Sequence, residues 1–216
     1  MKQRDGSGFT LVELVVTMVA MTVLMALGTV MVTSLQSQAR DSERKSDAEA
    51  IARGLEARYT NGNPKVEEFP SGYSDKGVYP GNNEFLHAMG CERSDFTPTD
   101  GPGYLSDFLP GTSPASLTAP GRSTDALWAG VNTSCDPTEY NSIDFLCVAS
   151  CPSDYDFKNP NTDTRIASAV TVNKYVYAPV ENNTYQICCC GNCRSFYLYY
   201  RTEVDNQVQY IKSTHQ

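Results

Sequence analysis

Residues 6–28 read GSGFTLVELVVTMVAMTVLMALG, and the rest of the chain is ordered by how this stretch is understood. It opens on small and polar residues and then becomes a hydrophobic run rich in Val, Leu, Met, Ala and Thr. Glu13 sits near the start of that run, and positions 14–39 carry no charged residue until Arg40. About 20 apolar residues suffice to cross a bilayer as a helix, so the run is long enough. The leader before it, residues 1–8, holds Lys2 and Arg4 against Asp5. Basic residues tend to stay on the cytoplasmic side, which places the N-terminus inside and the bulk of the chain outside.

Three readings of the run compete. A secretory signal peptide would use Ala26-Leu27-Gly28 as a small-residue cleavage site, but Glu13 interrupts its apolar region and the apolar pattern continues to Leu35. A plain membrane anchor gives the carboxylate no role. The third reading rests on the letters Gly8-Phe9-Thr10-Leu11-Val12-Glu13. They resemble the prepilin processing motif of type IV pilins and pseudopilins. The resemblance implies cleavage by a membrane protease, the prepilin peptidase, between Gly8 and Phe9. It also implies N-methylation of the new N-terminal Phe9 and places Glu13 at the fifth mature position. An assembly ATPase with its membrane platform, and further pilins including copies of this chain, are the other implied partners. The resemblance is strong over residues 1–60 and weak beyond. One departure stands out, since many such helices contain a proline and none lies between Phe9 and Tyr59. Gly28 is the weak point of the apolar half, about 1 kcal/mol worse than Ala in a helix.

A carboxylate in a membrane costs about 2.5–3.5 kcal/mol at the centre of a helix and less near its end. In a filament of staggered helices, the amine of a neighbouring Phe9 would pair with Glu13 and fix the axial register. The plainer alternative leaves Glu13 at the level of the lipid headgroups.

The segment 40–64, RDSERKSDAEAIARGLEARYTNGNP, changes solvent but keeps the helical period. Ala48, Ile51, Ala52, Leu55 and Tyr59 form one stripe, and Asn61-Gly62-Asn63-Pro64 supplies stop signals. Glu49 and Arg53 are spaced for an i,i+4 pair. The charges of Arg40-Asp41-Ser42-Glu43-Arg44-Lys45 suit either a solvated helix face or salt bridges between subunits.

Beyond residue 60, the region from Phe69 to Cys151 reads as long Pro-, Gly- and Ser-rich loops, with a helical turn at Phe85–Met89. Four β-rich runs follow: NKYVYAPV, TYQICCC, SFYLYYRTEV and VQYIKS, separated by turn signals. The simplest layout is an antiparallel meander over about 172–212, packed on the soluble helix half. Tyr197 and Tyr199 then share one face of their strand, with Leu198 and Tyr200 on the other. The tyrosines read mainly as packing residues, with an exposed adhesive aromatic surface as the alternative.

Eight cysteines follow residue 90: Cys91, Cys135, Cys147, Cys151, Cys188, Cys189, Cys190 and Cys193. In an exported domain they favour disulfides, with connectivity left open. Cys147-x3-Cys151 with Cys190-x2-Cys193 also suits a four-thiolate zinc site, and an exposed CxxC suits thiol redox chemistry.

The balance of 17 Lys+Arg against 25 Asp+Glu, net −8, argues against a general nucleic-acid surface. Catalysis has little support. His87 has no motif around it, and His215 lies near the end of the sequence. Asp95, Asp100 and Asp107 lack the ordered spacing of a calcium loop. Asn132-Thr-Ser134 and Asn182-Asn-Thr184 match the glycosylation triplet. The reading is therefore an α+β chain without cofactor or enzymatic activity. A cytoplasmic leader (1–8) precedes a transmembrane or filament-core helix half (9–35) whose apolar length protrudes, then a soluble helix half (36–60). An extracellular disulfide-stapled globular part (61–216) completes it. The resemblance implies a precursor in the cytoplasmic membrane, single-pass with the C-terminus outside, and a cell-surface filament serving adhesion, motility or DNA uptake. A pseudopilin of a type II secretion system, a tip adhesin, and a tethered extracellular thiol or zinc protein are the alternatives.

Overall fold

The computed structural model describes residues 10–62, 76–81, 109–113, 115–121, 143–146, 155–181, 186–188 and 193–215. The chain divides into two compact units, Met1–Ala39 and Arg40–Gln216. Helix α1, Leu11–Asn61, contributes to both.

The smaller unit is described from Thr10 and consists of α1. Every described apolar side chain of this stretch is exposed, from Leu14 and Val15 at 49% to Leu11 at 80%. By length and composition α1 can cross a membrane. Its threonines do not leave hydroxyls unpaired. Thr17, Thr22 and Thr29 donate to the carbonyls of Leu14, Val19 and Ala26 at 2.8–2.9 Å, each one turn back. The polar groups are thus satisfied inside the helix, as an apolar surrounding requires.

In the larger unit α1 carries Ala48, Ile51, Ala52 and Leu55 into the core, as the stripe predicts, with Tyr59 packed at its edge. The helix ends where the stop signals place it. Gly62 adopts φ 75°, and its N–H donates to the Arg58 carbonyl at 2.8 Å. A side chain would strain that left-handed position.

Among the described residues four strands form one sheet in the order β1-β2-β3-β4: β1 Ile143–Phe145, β2 Tyr175–Glu181, β3 Cys193–Arg201 and β4 Val208–Lys212. The last three are antiparallel neighbours, with Tyr177 opposite Leu198 and Tyr199 opposite Tyr210. Helix α1 covers one face, where Tyr175, Tyr177, Phe196, Leu198 and Tyr200 meet its stripe together with Tyr79, Leu109 and Leu117. The other face carries Val176, Ala178, Tyr197 and Tyr199. It is covered by Tyr155, Phe157 and the short helix α2, Thr164–Ala169, through Ile166. The alternation read from the sequence for residues 197–200 therefore holds. Burial on both faces explains why β3 reads as a continuous aromatic run instead of a polar–apolar alternation. Buried tyrosine hydroxyls find acceptors: Tyr177 donates to the Pro80 carbonyl at 2.8 Å and Tyr199 to the Phe157 carbonyl at 2.9 Å.

Two parts of the sequence layout are corrected. The region taken as loops contains β1, which pairs parallel with β2 from Ile143–Tyr175 to Phe145–Tyr177. A three-residue strand has no period to read, and its partner lies about thirty residues on. The run TYQICCC is not a meander strand over its described residues 186–188. Ile187 makes an isolated bridge to Val180, and the Cys188 N–H donates to the Pro179 carbonyl at 2.8 Å. This segment lies along the edge of β2 opposite to β3, so the order in space differs from that of a meander.

Gly54 marks a close approach. A Cβ there would lie 3.0 Å from Thr112 Cγ2, 3.1 Å from Leu109 Cβ and 3.4 Å from the Leu109 carbonyl carbon. Gly54→Ala gains about 1 kcal/mol of helix propensity but overpacks this contact, and overpacking costs about 1–3 kcal/mol. A net loss of about 1 kcal/mol is expected in thermal unfolding of the detergent-solubilised chain. At Gly28 a Cβ would meet nothing within 4 Å, and Gly28→Ala is expected to cause no such loss.

Candidate functional site

Gly8 and Phe9, the residues read as the processing site, lie outside the described residues. Glu13 does not, and its surroundings hold a feature that the sequence reading missed. Its Oε2 accepts from the Thr10 N–H and the Thr10 hydroxyl, both at 2.9 Å, while the Glu13 N–H donates to Thr10 Oγ1 at 3.3 Å. This is a capping box, which satisfies free N–H groups at a helix start. The signal was present in Thr10-Leu11-Val12-Glu13. The carboxylate thus has a partner within its own chain, and its charge also complements the helix dipole.

Glu43 and Lys45 are exposed, as a solvated face implies, but Arg40, Asp41 and Arg44 have a use that neither earlier reading anticipated. Arg44 is buried in spite of its charge, 1% exposed. Its guanidinium bonds the Asp41 carboxylate at 2.8 Å, the Val172 carbonyl at 2.8 Å and the Glu203 carboxylate. Arg40 grips Glu203 as well, with contacts at 2.6 and 3.0 Å. Asp41 accepts the backbone N–H groups of Glu203 and Val204 at 2.8 and 3.0 Å. Helix α1 thereby clamps the β3–β4 turn within the chain. Hydrogen bonding from Arg40 leads in holding the Glu203 carboxyl down at about 2, against a smaller opposing effect of burial. By contrast Arg53 and Glu49 are exposed and 4.0 Å apart, a spacing that contributes little.

A second polar cluster closes the other end of the sheet. Burial alone would raise the Glu56 carboxyl, but hydrogen bonds from the Thr214 N–H, the Tyr79 hydroxyl and His215 hold it below the usual range. The three contacts are each 2.8 Å. The His215 ring stacks on Tyr59 with centroids 4.2 Å apart. His215 is therefore a docking residue for the segment after β4.

Asp47 faces Tyr175, whose hydroxyl donates to it at 3.1 Å. Burial pushes its carboxyl up to about 6, the Tyr175 bond opposes this, and Glu43 adds like charge. A carboxylate raised in the folded state is neutral below about pH 4 in both states, and its stability penalty grows as pH rises through about 6. Asp47→Asn is expected to stabilise the chain by about 1 kcal/mol at pH 7.5, after allowance for solvent screening, and to have no effect at pH 3.5. Thermal unfolding of both forms at the two pH values checks this.

Cys188 and Cys193 form a disulfide with both residues buried, and Cys193 also bridges Tyr79. A zinc site that uses Cys193 as a free thiolate is incompatible with that bond. Cys91, Cys135, Cys147, Cys151, Cys189 and Cys190 lie outside the described residues, as do His87, Asp95, Asp100, Asp107, Asn132, Asn182 and the turn at 85–89. Among the described residues no group of three or more His, Cys, Asp or Glu side chains could hold a metal ion.

Residues 4–29 match the family model described as the prokaryotic N-terminal methylation motif. The match spans Gly8, Phe9 and Glu13 and continues through the first turns of the exposed apolar helix. It is the signature found in prepilins, and it supports a pilin-like or pseudopilin chain with a structural role. No curated protein and no solved structure matches the chain.

Proposed function

We propose that this chain is a structural subunit, major or minor, of a type IV pilus-like filament. The observation that carries the reading is a methylation motif set directly on a helix whose described apolar side chains from Leu11 to Leu35 are all exposed. Such a helix needs a non-aqueous surrounding, and at about 25 cal/mol per Å² its exposure to water would be strongly unfavourable. Lipid supplies that surrounding before assembly, and sister helices supply it afterwards. Prepilin peptidase cuts between Gly8 and Phe9, Phe9 is N-methylated, and an assembly ATPase with its membrane platform inserts the subunit among other pilins. Residues 1–8 are the leader, residues 9–35 the membrane and filament-core segment, and residues 61–216 the extracellular part. Before assembly the precursor spans the cytoplasmic membrane once, with its C-terminus outside. In the filament it lies at the cell surface.

N-terminal mass analysis of the native protein, with recovery of the sheared fibre fraction, tests this. The expected result is a chain that starts at methylated Phe9 and co-sediments with fibres. A native chain that starts elsewhere, or one never recovered in polymeric form, overturns the reading. Processed protein found only in short envelope-spanning fibres would assign it to a secretion apparatus as a pseudopilin.

A further inference from the structure

Among the described residues strand β4 ends the sheet, and one of its edges has no neighbouring strand. The ladder fixes which backbone groups face that edge. The Ser213 N–H donates to the Phe196 carbonyl and the Thr202 N–H to the Gln207 carbonyl, so Gln207, Gln209, Ile211 and Ser213 turn their polar groups toward β3. Val208, Tyr210 and Lys212 turn theirs outward. At one end the opening is stopped. The side-chain amide of Asn161 takes both outward groups of Val208, accepting its N–H at 2.8 Å and donating to its carbonyl at 3.0 Å. At the other end the chain bends, and the Thr214 N–H goes to Glu56 at 2.8 Å. What remains open among the described residues is a window at Tyr210 and Lys212, each presenting one N–H and one carbonyl.

This window is self-complementary, and we propose that it pairs with the same window of a second copy of this chain about a two-fold axis. Antiparallel strands exchange hydrogen bonds between directly opposed outward residues. Placing Tyr210 of one copy opposite Lys212 of the other satisfies both open residues of both copies at once. Shifting the register by one step either way sets an open residue against the stopped Val208 or the occupied Thr214. The side chains agree with this register. Tyr210 and Lys212 share the face that carries Tyr197, over whose ring the Lys212 ammonium already lies 6.0 Å from the centroid. In the pair each ammonium comes beside the other copy's Tyr210 ring, a cation–π arrangement. On the opposite face Ile211 meets Ile211. Tyr210 is 39% exposed, and it and Val204 are the exposed large apolar side chains described in the larger unit. The strand ends at Lys212, so the second copy's Asn161 meets a place that the chain has left. A two-fold contact is closed and isologous. It is small, so single copies associate weakly, whereas chains arrayed in a fibre would associate laterally through many such contacts.

Amide hydrogen exchange on the full chain in detergent micelles tests the proposal. Raising the protein concentration about 100-fold is expected to slow exchange at Tyr210 and Lys212 at least about fivefold. Val208, protected by Asn161 at every concentration, serves as the internal reference. Lys212→Pro removes the ammonium together with an outward N–H that the β3–β4 ladder does not use, and is expected to abolish the slowing at Tyr210. Lys212→Ala is expected to fold equally well and to weaken the effect. Exchange at Tyr210 and Lys212 that does not change with concentration in the parent chain overturns the proposal. So does concentration-dependent slowing at Tyr210 that persists unchanged in Lys212→Pro.

Discussion

Glu203→Ala is expected to destabilise the larger unit by about 3 kcal/mol, because it leaves Arg44 buried with one of its two carboxylates gone. The figure lies at the lower end of what breaking a buried pair costs, since Asp41 and the Val172 carbonyl still hold Arg44. The effect has a pH signature. The folded Glu203 carboxyl is held at about 2, below its ordinary 4.5. Its contribution is therefore complete above about pH 4.5 and is lost as pH falls toward 2. The difference in melting temperature between parent and variant should be widest at neutral pH and shrink in acid. An equal difference at pH 7 and pH 2.5 would show that Glu203 acts through something other than its charge. The effect should extend to the β3–β4 turn, where the Glu203 and Val204 amides bonded to Asp41 are expected to exchange faster with solvent.

The second large effect is expected at Glu13. Glu13→Ala removes the capping box, which costs about 1 kcal/mol at the helix start, and also removes the only charge before Arg40 on this helix. Under the proposed function the variant inserts in the membrane and is processed, but recovery of sheared fibres falls at least about tenfold, since no charge then penalises a slipped subunit. Glu13→Gln separates the two roles, because an amide oxygen still accepts from Thr10 while carrying no charge. Fibre loss in both variants assigns assembly to the charge. Fibre loss in Glu13→Ala alone assigns it to the cap. Wild-type fibre levels in both would remove Glu13 from assembly altogether. The two alternatives matter because Glu13 is satisfied by Thr10 inside a single chain, so any intermolecular pairing has to compete with that bond.

Local rules carried much of the reading. The apolar run, the basic leader, the stripe from Ala48 to Leu55 and the stop at Gly62 all depend on residues a few positions apart, and the structure shows the stripe and the stop as expected. The alternation of residues 197–200 is equally local. Even the capping box was available in four consecutive letters. The motif at Gly8 to Glu13 was legible for the same reason, since it is a short linear segment.

What the sequence alone determined is therefore periodicity: which residues form the long helix, which face of its soluble half packs on the core, and three of the runs that become strands. Tertiary structure decided everything that joins residues far apart in the chain. It brought Glu203 to Arg40 and Arg44, His215 to Glu56, and Asn161 to the edge of β4. It also placed a three-residue strand beside β2 and set Ile187 on the edge away from β3. The physical reason is that an ion pair or a strand edge is defined by where two chain segments meet, and that meeting is set by core packing on both faces of the sheet. Charge and pattern within either segment do not encode it.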